Sequence, residues 1–149
     1  MTDILFYHLE RTTLEKVLPG LLEKSLERGW RAVVQATTEE RIESLDSLLW
    51  TFSDTSFLPH GTSKDGVEDR HPVFLTQTDI NPNAANIRFL VENANVEDMS
   101  GYERVVYLFD GNDEYSVSSA RESYRSALDS GHDVTYWQQS ETGKWEKRA

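Results

Sequence analysis

The sequence predicts an α/β fold: a mostly parallel sheet with helices on both faces, three-layered and Rossmann-like. Two observations carry this. Short, nearly all-apolar segments alternate with segments of helical periodicity, the pattern of parallel strands covered on both sides. At 149 residues, 38% of them hydrophobic, the chain suits one domain that buries roughly two thirds of its unfolded surface. Residues 1–139 form that domain, and residues 140–149 read as a C-terminal tail. There is no internal repeat and no low-complexity stretch.

The elements follow in order. Residues 3–8 are a short apolar strand. Thr12-x-x-Glu15 is a capping box ahead of Leu14, Val17, Leu18, Leu21, Leu22 and Leu26, and Gly29 stops that helix. Pro19-Gly20 inside it predicts a kink or a late start. Residues 31–36 are the second strand, and Thr37-x-x-Glu40 opens a helix that runs to Phe52. Residues 61–72 are a polar loop. Residues 73–76, 87–91 and 104–109 are three strands, with Asn81-Pro82-Asn83 marking a turn. Three strands in succession allow some antiparallel pairing. Residues 113–130 are the last helix, ended by Gly131, and residues 134–138 the last strand.

Composition bounds the function. With no cysteine, the chain has no disulfide, thiolate zinc site or cysteine nucleophile, which fits a cytoplasmic protein. Residues 1–9 are too short and mixed for a signal peptide, and no apolar run reaches the ~20 residues that span a bilayer. A net charge of −11 argues against direct nucleic-acid binding, because phosphate contacts call for a basic face. The charge is uneven: residues 1–119 hold 10 Lys+Arg against 21 Asp+Glu, and residues 120–149 hold 5 against 5. Only the C-terminal part can welcome an acidic partner.

Motifs for chemistry are sparse. The first strand runs into Leu9-Glu10-Arg11-Thr12, where a dinucleotide fold needs a glycine-rich turn and a phosphate loop needs Gly-Lys-Ser/Thr. Glu10 would repel a phosphate there. No Gly-x-Ser-x-Gly elbow occurs. Asp110 and Asp113 stand at the carboxyl edge, where such folds place acidic catalytic groups. They serve equally as a solvated loop that caps the last helix. A small α/β enzyme or nucleotide-binding domain with its site at Asp110 and Asp113 is therefore the rival reading. His60, His71 and Asp69 can be drawn as a metal site, but their spacing matches no ligand pattern, and a structural role is expected. His8 and His132 carry no motif. No catalytic residue, metal or cofactor is expected.

Two surfaces stand out. On the second helix Ile42, Leu45, Leu49 and Phe52 share one side, and Trp50 falls nearly opposite. With Phe57, Leu58 and Pro59 just beyond, Trp50 either forms an apolar patch for a partner or caps the helix end against its own loop. On the last helix Val117, Ala120, Tyr124, Ala127 and Leu128 make an apolar stripe. Arg121 and Arg125, four apart, project from its shoulder beside Tyr124. Guanidinium forks beside an aromatic suit an extended acidic peptide with an apolar end. An ordinary helix edge, with Glu122 and Asp129 partly neutralising the arginines, is the plainer alternative.

Trp50, followed after six residues by Phe57-Leu58-Pro59-His60-Gly61, resembles the chi subunit of the bacterial DNA polymerase III holoenzyme. Phe6-Tyr7-His8-Leu9, Leu18-Pro19-Gly20-Leu21-Leu22-Glu23-Lys24 and Arg28-Gly29-Trp30-Arg31 agree in order and spacing. The resemblance runs from about residue 3 to about 138. It implies a non-catalytic connector between the clamp loader and single-stranded-DNA-binding protein (SSB), with no direct nucleic-acid contact. By this resemblance Arg121, Tyr124 and Arg125 hold the acidic, Phe-terminated SSB tail. Trp50, Phe57, Leu58 and Pro59 dock the psi subunit or another helicase or clamp-loader partner. Pro59 and His60 belong to a structural turn. Two departures bear on the tail site: Val117 stands where the family's best-known member has a lysine, and Asp110 where an apolar residue is expected.

Overall fold

A computed structural model describes residues 2–53 and 58–148. Eight strands form a single sheet in the order β3-β4-β2-β5-β6-β1-β7-β8. The strands are β1 (Asp3–Leu9), β2 (Ala32–Gln35), β3 (Gly61–Thr62), β4 (Val73–Thr76), β5 (Ile87–Val91), β6 (Arg104–Asp110), β7 (Asp133–Gln139) and β8 (Trp145–Lys147). The helices are α1 (Leu14–Glu27), α2 (Glu39–Thr51) and α3 (Glu114–Asp129). Every pairing is parallel except β7 with β8. The three consecutive strands expected to allow antiparallel pairing do not use it. β2 inserts between β4 and β5, so both lie parallel to it.

Burial explains the order. β2, β4 and β5 are buried at every position, as central parallel strands must be. β1 alternates instead. Ile4, Phe6 and His8 are buried toward α3, while Leu5 and Tyr7 are half-buried on the other side. One core lies under α1 and α2, built on Leu14, Leu18, Leu22, Ile42, Leu45 and Leu49. The second lies under α3, where Ala120 and Ala127 bring the helix close to Phe6, Val105 and Tyr107. Small side chains permit that approach. Beyond α3 this face is covered by residues such as Ala85, Ala94, Val96 and Tyr102 from the connecting segments.

Several boundaries shift. The N-caps are Thr13 and Thr38, each one residue later than expected. Thr38 takes the third amide of α2, accepting from the Arg41 N–H at 3.2 Å, which leaves Glu40 no role in a box. Helix α1 starts at Leu14 and runs through Pro19. The cost is the hydrogen bond that a residue-19 N–H would have given the Glu15 carbonyl. Gly61–Thr62 and two 3-10 turns order the segment read as a polar loop. Trp145–Lys147, within the expected tail, pair onto β7. No helix is long and apolar enough to cross a membrane among the described residues.

Candidate protein-binding surfaces

The α3 shoulder is a composite of helix and sheet. Arg121 and Arg125 are exposed, and among the described residues neither has an ion pair with Glu122, Asp129 or any other acid. Tyr124 is half-buried and meets Phe6 and Tyr136 edge-on, with ring centroids 5.6 and 5.9 Å apart. Phe6 in turn stacks on Tyr107 at 4.4 Å. Burial pushes the Tyr107 hydroxyl up to about 12. Leu128, expected in the buried stripe, is 47% exposed, and Ser116, not expected there, is buried. The helix is rotated slightly from the wheel because small Ser116, Ala120 and Ala127 face the sheet.

The sequence reading missed the sheet's share of this surface. The Tyr136 hydroxyl lies 2.7 Å from His8 Nδ1. His8 Nε2 faces the Glu10 carboxylate at 2.9 Å but is not aligned for a hydrogen bond. Gln138 donates to the same carboxylate at 2.7 Å. Burial lowers the His8 pKa, Glu10 partly offsets this, and Arg121 adds to the lowering. Arg121 therefore stands within electrostatic reach of His8, and it also acts on Tyr136. Parallel pairing puts Phe6 opposite Tyr136 and His8 opposite Gln138. Period-two alternation in both strands was the available signal, but only once the two were known to be neighbours.

Asp110 and Asp113 lie beside this surface, and both are engaged in turns. Asp110 accepts from the Asn112 N–H at 2.9 Å, and Asp113 accepts from the Ser116 hydroxyl at 2.7 Å. The connections leaving β1 and β6 go to opposite faces of the sheet, which makes their carboxyl ends the switch point where such folds hold ligands. A crevice of about 390 Å³ lies there. Its lining includes Glu10, Glu15, Glu92 and Asp110. Arg41 within it already bridges Glu15 and Glu92, and its hydrogen bond holds Glu15 below the usual carboxylate range.

The histidines drawn as metal ligands go elsewhere. His60 bonds through Nδ1 to the Leu58 carbonyl at 2.7 Å, and its Nε2 faces Asp46 at 3.0 Å. His71 bonds to the Gly66 carbonyl at 2.9 Å. Among the described residues no three His, Cys, Asp or Glu side chains gather to hold a metal ion.

On α2, Ile42, Leu45 and Leu49 are buried and Trp50 is 58% exposed. Its ring meets His60 edge-on at 4.9 Å. Pro59 is half-buried, and Leu58 points into the core, 1% exposed. Leu58 thus offers no side chain to a partner, because it packs into the core under α1 and α2 with Leu45 and Leu49. Phe57 lies outside the described residues.

The three-layer α/β domain thus carries exposed arginines on α3 and an exposed Trp50 on α2, and its switch-point crevice is lined by both acids and bases. The sequence matches the family described as "DNA polymerase III chi subunit, HolC" over residues 1–135, and the chain belongs to that family. A similar protein is the probable DNA polymerase III subunit chi of Rickettsia prowazekii (strain Madrid E), 25% identical over 109 residues. That alignment spans 73% of this chain and 66% of the relative, just under two thirds of its length. That family is one of DNA polymerase III subunits.

Proposed function

We propose that this protein is a non-catalytic adaptor that links the clamp loader to SSB by holding the acidic C-terminal tail of SSB. The observation that carries this reading is the pair of exposed arginines, Arg121 and Arg125, without an ion-pair partner among the described residues, beside the Tyr124–Tyr136 aromatic contact. In a chain of charge −11, free cations over aromatic carbon form a surface selective for acidic, apolar-ended peptides. The tail's carboxylates meet Arg121 and Arg125, and its terminal ring lies against Tyr124. Val117 supplies no cation, and Asp110 repels at one edge, so the two arginines carry the electrostatic part. Trp50 and Pro59 form the second surface, for a psi-type or other clamp-loader or helicase partner. Two modest affinities in one molecule then raise the effective concentration of the polymerase machinery on coated single strands.

Calorimetric titration with a short acidic peptide ending in Pro-Phe tests the first surface. Saturable binding that weakens with salt and is lost in Arg121→Ala and Arg125→Ala is expected. No binding at low salt, or binding indifferent to both substitutions, overturns the reading.

A further inference from the structure

On the face that carries α1 and α2, the main helix–sheet contacts are those of α1 with β2 and of α2 with β3 and β4, so the β1, β7 and β8 end of the sheet is more thinly covered. Leu5, Tyr7 and Trp137 are only half-buried there, and Trp145 of β8 meets Tyr7 edge-on at 5.0 Å. Where this open area meets the end of α1 lies a cleft of about 200 Å³. Its floor is apolar, with Leu5 of β1, Ile87 and Phe89 of β5 and Val106 of β6. Its charged lining is Lys24, Arg28 and Arg104, with no carboxylate. That runs against a composition of 26 acids to 15 bases.

The cations are held in place yet poorly neutralised. The guanidiniums of Arg28 and Arg104 lie 5.2 and 5.3 Å from the centre of the Trp30 ring. Arg104 approaches Asp3 only at 3.8 Å, and its Nε is buried with no hydrogen-bond partner. Lys24 and Arg28 also offset the carbonyl dipole at the end of α1, but Arg104 comes from β6 and owes nothing to that. Positive charge whose one ion pair among the described residues is the long Arg104–Asp3 approach, above an apolar floor, calls for an amphipathic anion. The guanidiniums already occupy the Trp30 ring, so it is a poor platform for stacked bases. A single side-chain-sized cleft suits a peptide better than a strand of nucleotides.

We propose that this cleft docks an internal acidic segment of a partner protein, one apolar side chain entering between Leu5 and Phe89 while flanking carboxylates meet Lys24, Arg28 and Arg104. The surface lies on the sheet face opposite α3, so it can be filled while the Arg121 surface is occupied, and it does not rest on that reading.

The probe is an N-acetylated, C-amidated Asp/Glu-rich peptide with one central Phe and a fluorescent label, followed by anisotropy at low salt. Capping removes the terminal carboxylate that the α3 surface would prefer. The expected result is saturable binding, at least tenfold weaker in the double variant Lys24→Glu/Arg28→Glu and unchanged in Arg121→Ala/Arg125→Ala. Lys24 and Arg28 are exposed, and circular dichroism checks that the variant is folded. Absent binding, binding untouched by the cleft substitutions, or binding lost equally in the α3 variant overturns the proposal. So does tighter binding of a labelled oligothymidylate with the same dependence on Lys24 and Arg28.

Discussion

The hydroxyl of Tyr136, on β7, sits 2.7 Å from Nδ1 of His8, on β1, and closes a polar bridge under the edge of α3. A neutral His8 protonated on Nε2 suits both neighbours, since Nδ1 then accepts from Tyr136 and Nε2–H is turned toward the Glu10 carboxylate without an aligned bond to it. Charging the ring would make Nδ1 a donor and force the phenol to turn.

Stability should therefore fall in acid before the carboxylates titrate. The folded pKa of His8 lies below 6.5 because the ring is buried. Below the unfolded value the unfolded chain binds more protons, so stability rises with pH and is lost as pH falls through about 6.5. Thermal melts at pH 7.5 and 5.5 should give a lower Tm at 5.5, and His8→Gln should narrow the gap. An unchanged gap would remove His8 as the cause.

Gly111 makes room for this histidine. A Cβ there would stand 2.0 Å from the His8 ring. Gly111→Ala should cost about 1–3 kcal/mol as an overpacked site, read from urea unfolding. His8→Ala added to it should cost less than the sum of the two single changes, because the clash is gone.

Adjacent residues on α2 should behave oppositely. Leu49 is 1% exposed and Trp50 58%. Leu49→Ala should lose about 2–5 kcal/mol by opening a cavity. Trp50→Ala should lose less than about 1 kcal/mol while weakening capture of a clamp-loader partner. Equal costs in urea would mean that Trp50 serves the fold.

Arg88 is a fully buried guanidinium at the middle of β5. Its nitrogens reach the Gln35 side chain, the Thr78 and Ile80 carbonyls and the Tyr102 hydroxyl. Arg88→Leu strands several buried acceptors at ~1–3 kcal/mol each, so a loss on the order of 3–5 kcal/mol is expected in denaturant titration. Arg88→Lys should recover only part of it, lacking the fork.

What the sequence revealed was local. Apolar runs in β2, β4 and β5 and the stripes of α1 and α2 follow from periodicity, which depends on nearest neighbours along the chain. What it hid was pairing. Nothing in residues 73–91 announces that β2 will come between β4 and β5, because that is decided by burial on both faces of the sheet. The same holds for the α3 surface. Arg121, Tyr124 and Arg125 share a helix and could be grouped by spacing, whereas Tyr136 and His8 join them only through the β1–β7 register. Leu58, apolar and in an apolar-looking loop, carried no sign that it would turn into the core. Trp145 has too short a strand around it, three residues, for alternation to register.

The outermost strands are brief: two residues of β3 at one end of the sheet and three of β8 at the other. An extended segment seeking to join by backbone pairing finds almost no ladder on either of them, and blunt ends of this kind also discourage edge-to-edge self-association. In the proposed adaptor role, each partner contact would then be made by side chains and not by strand pairing. Each can be strengthened or erased by a single substitution without disturbing the sheet.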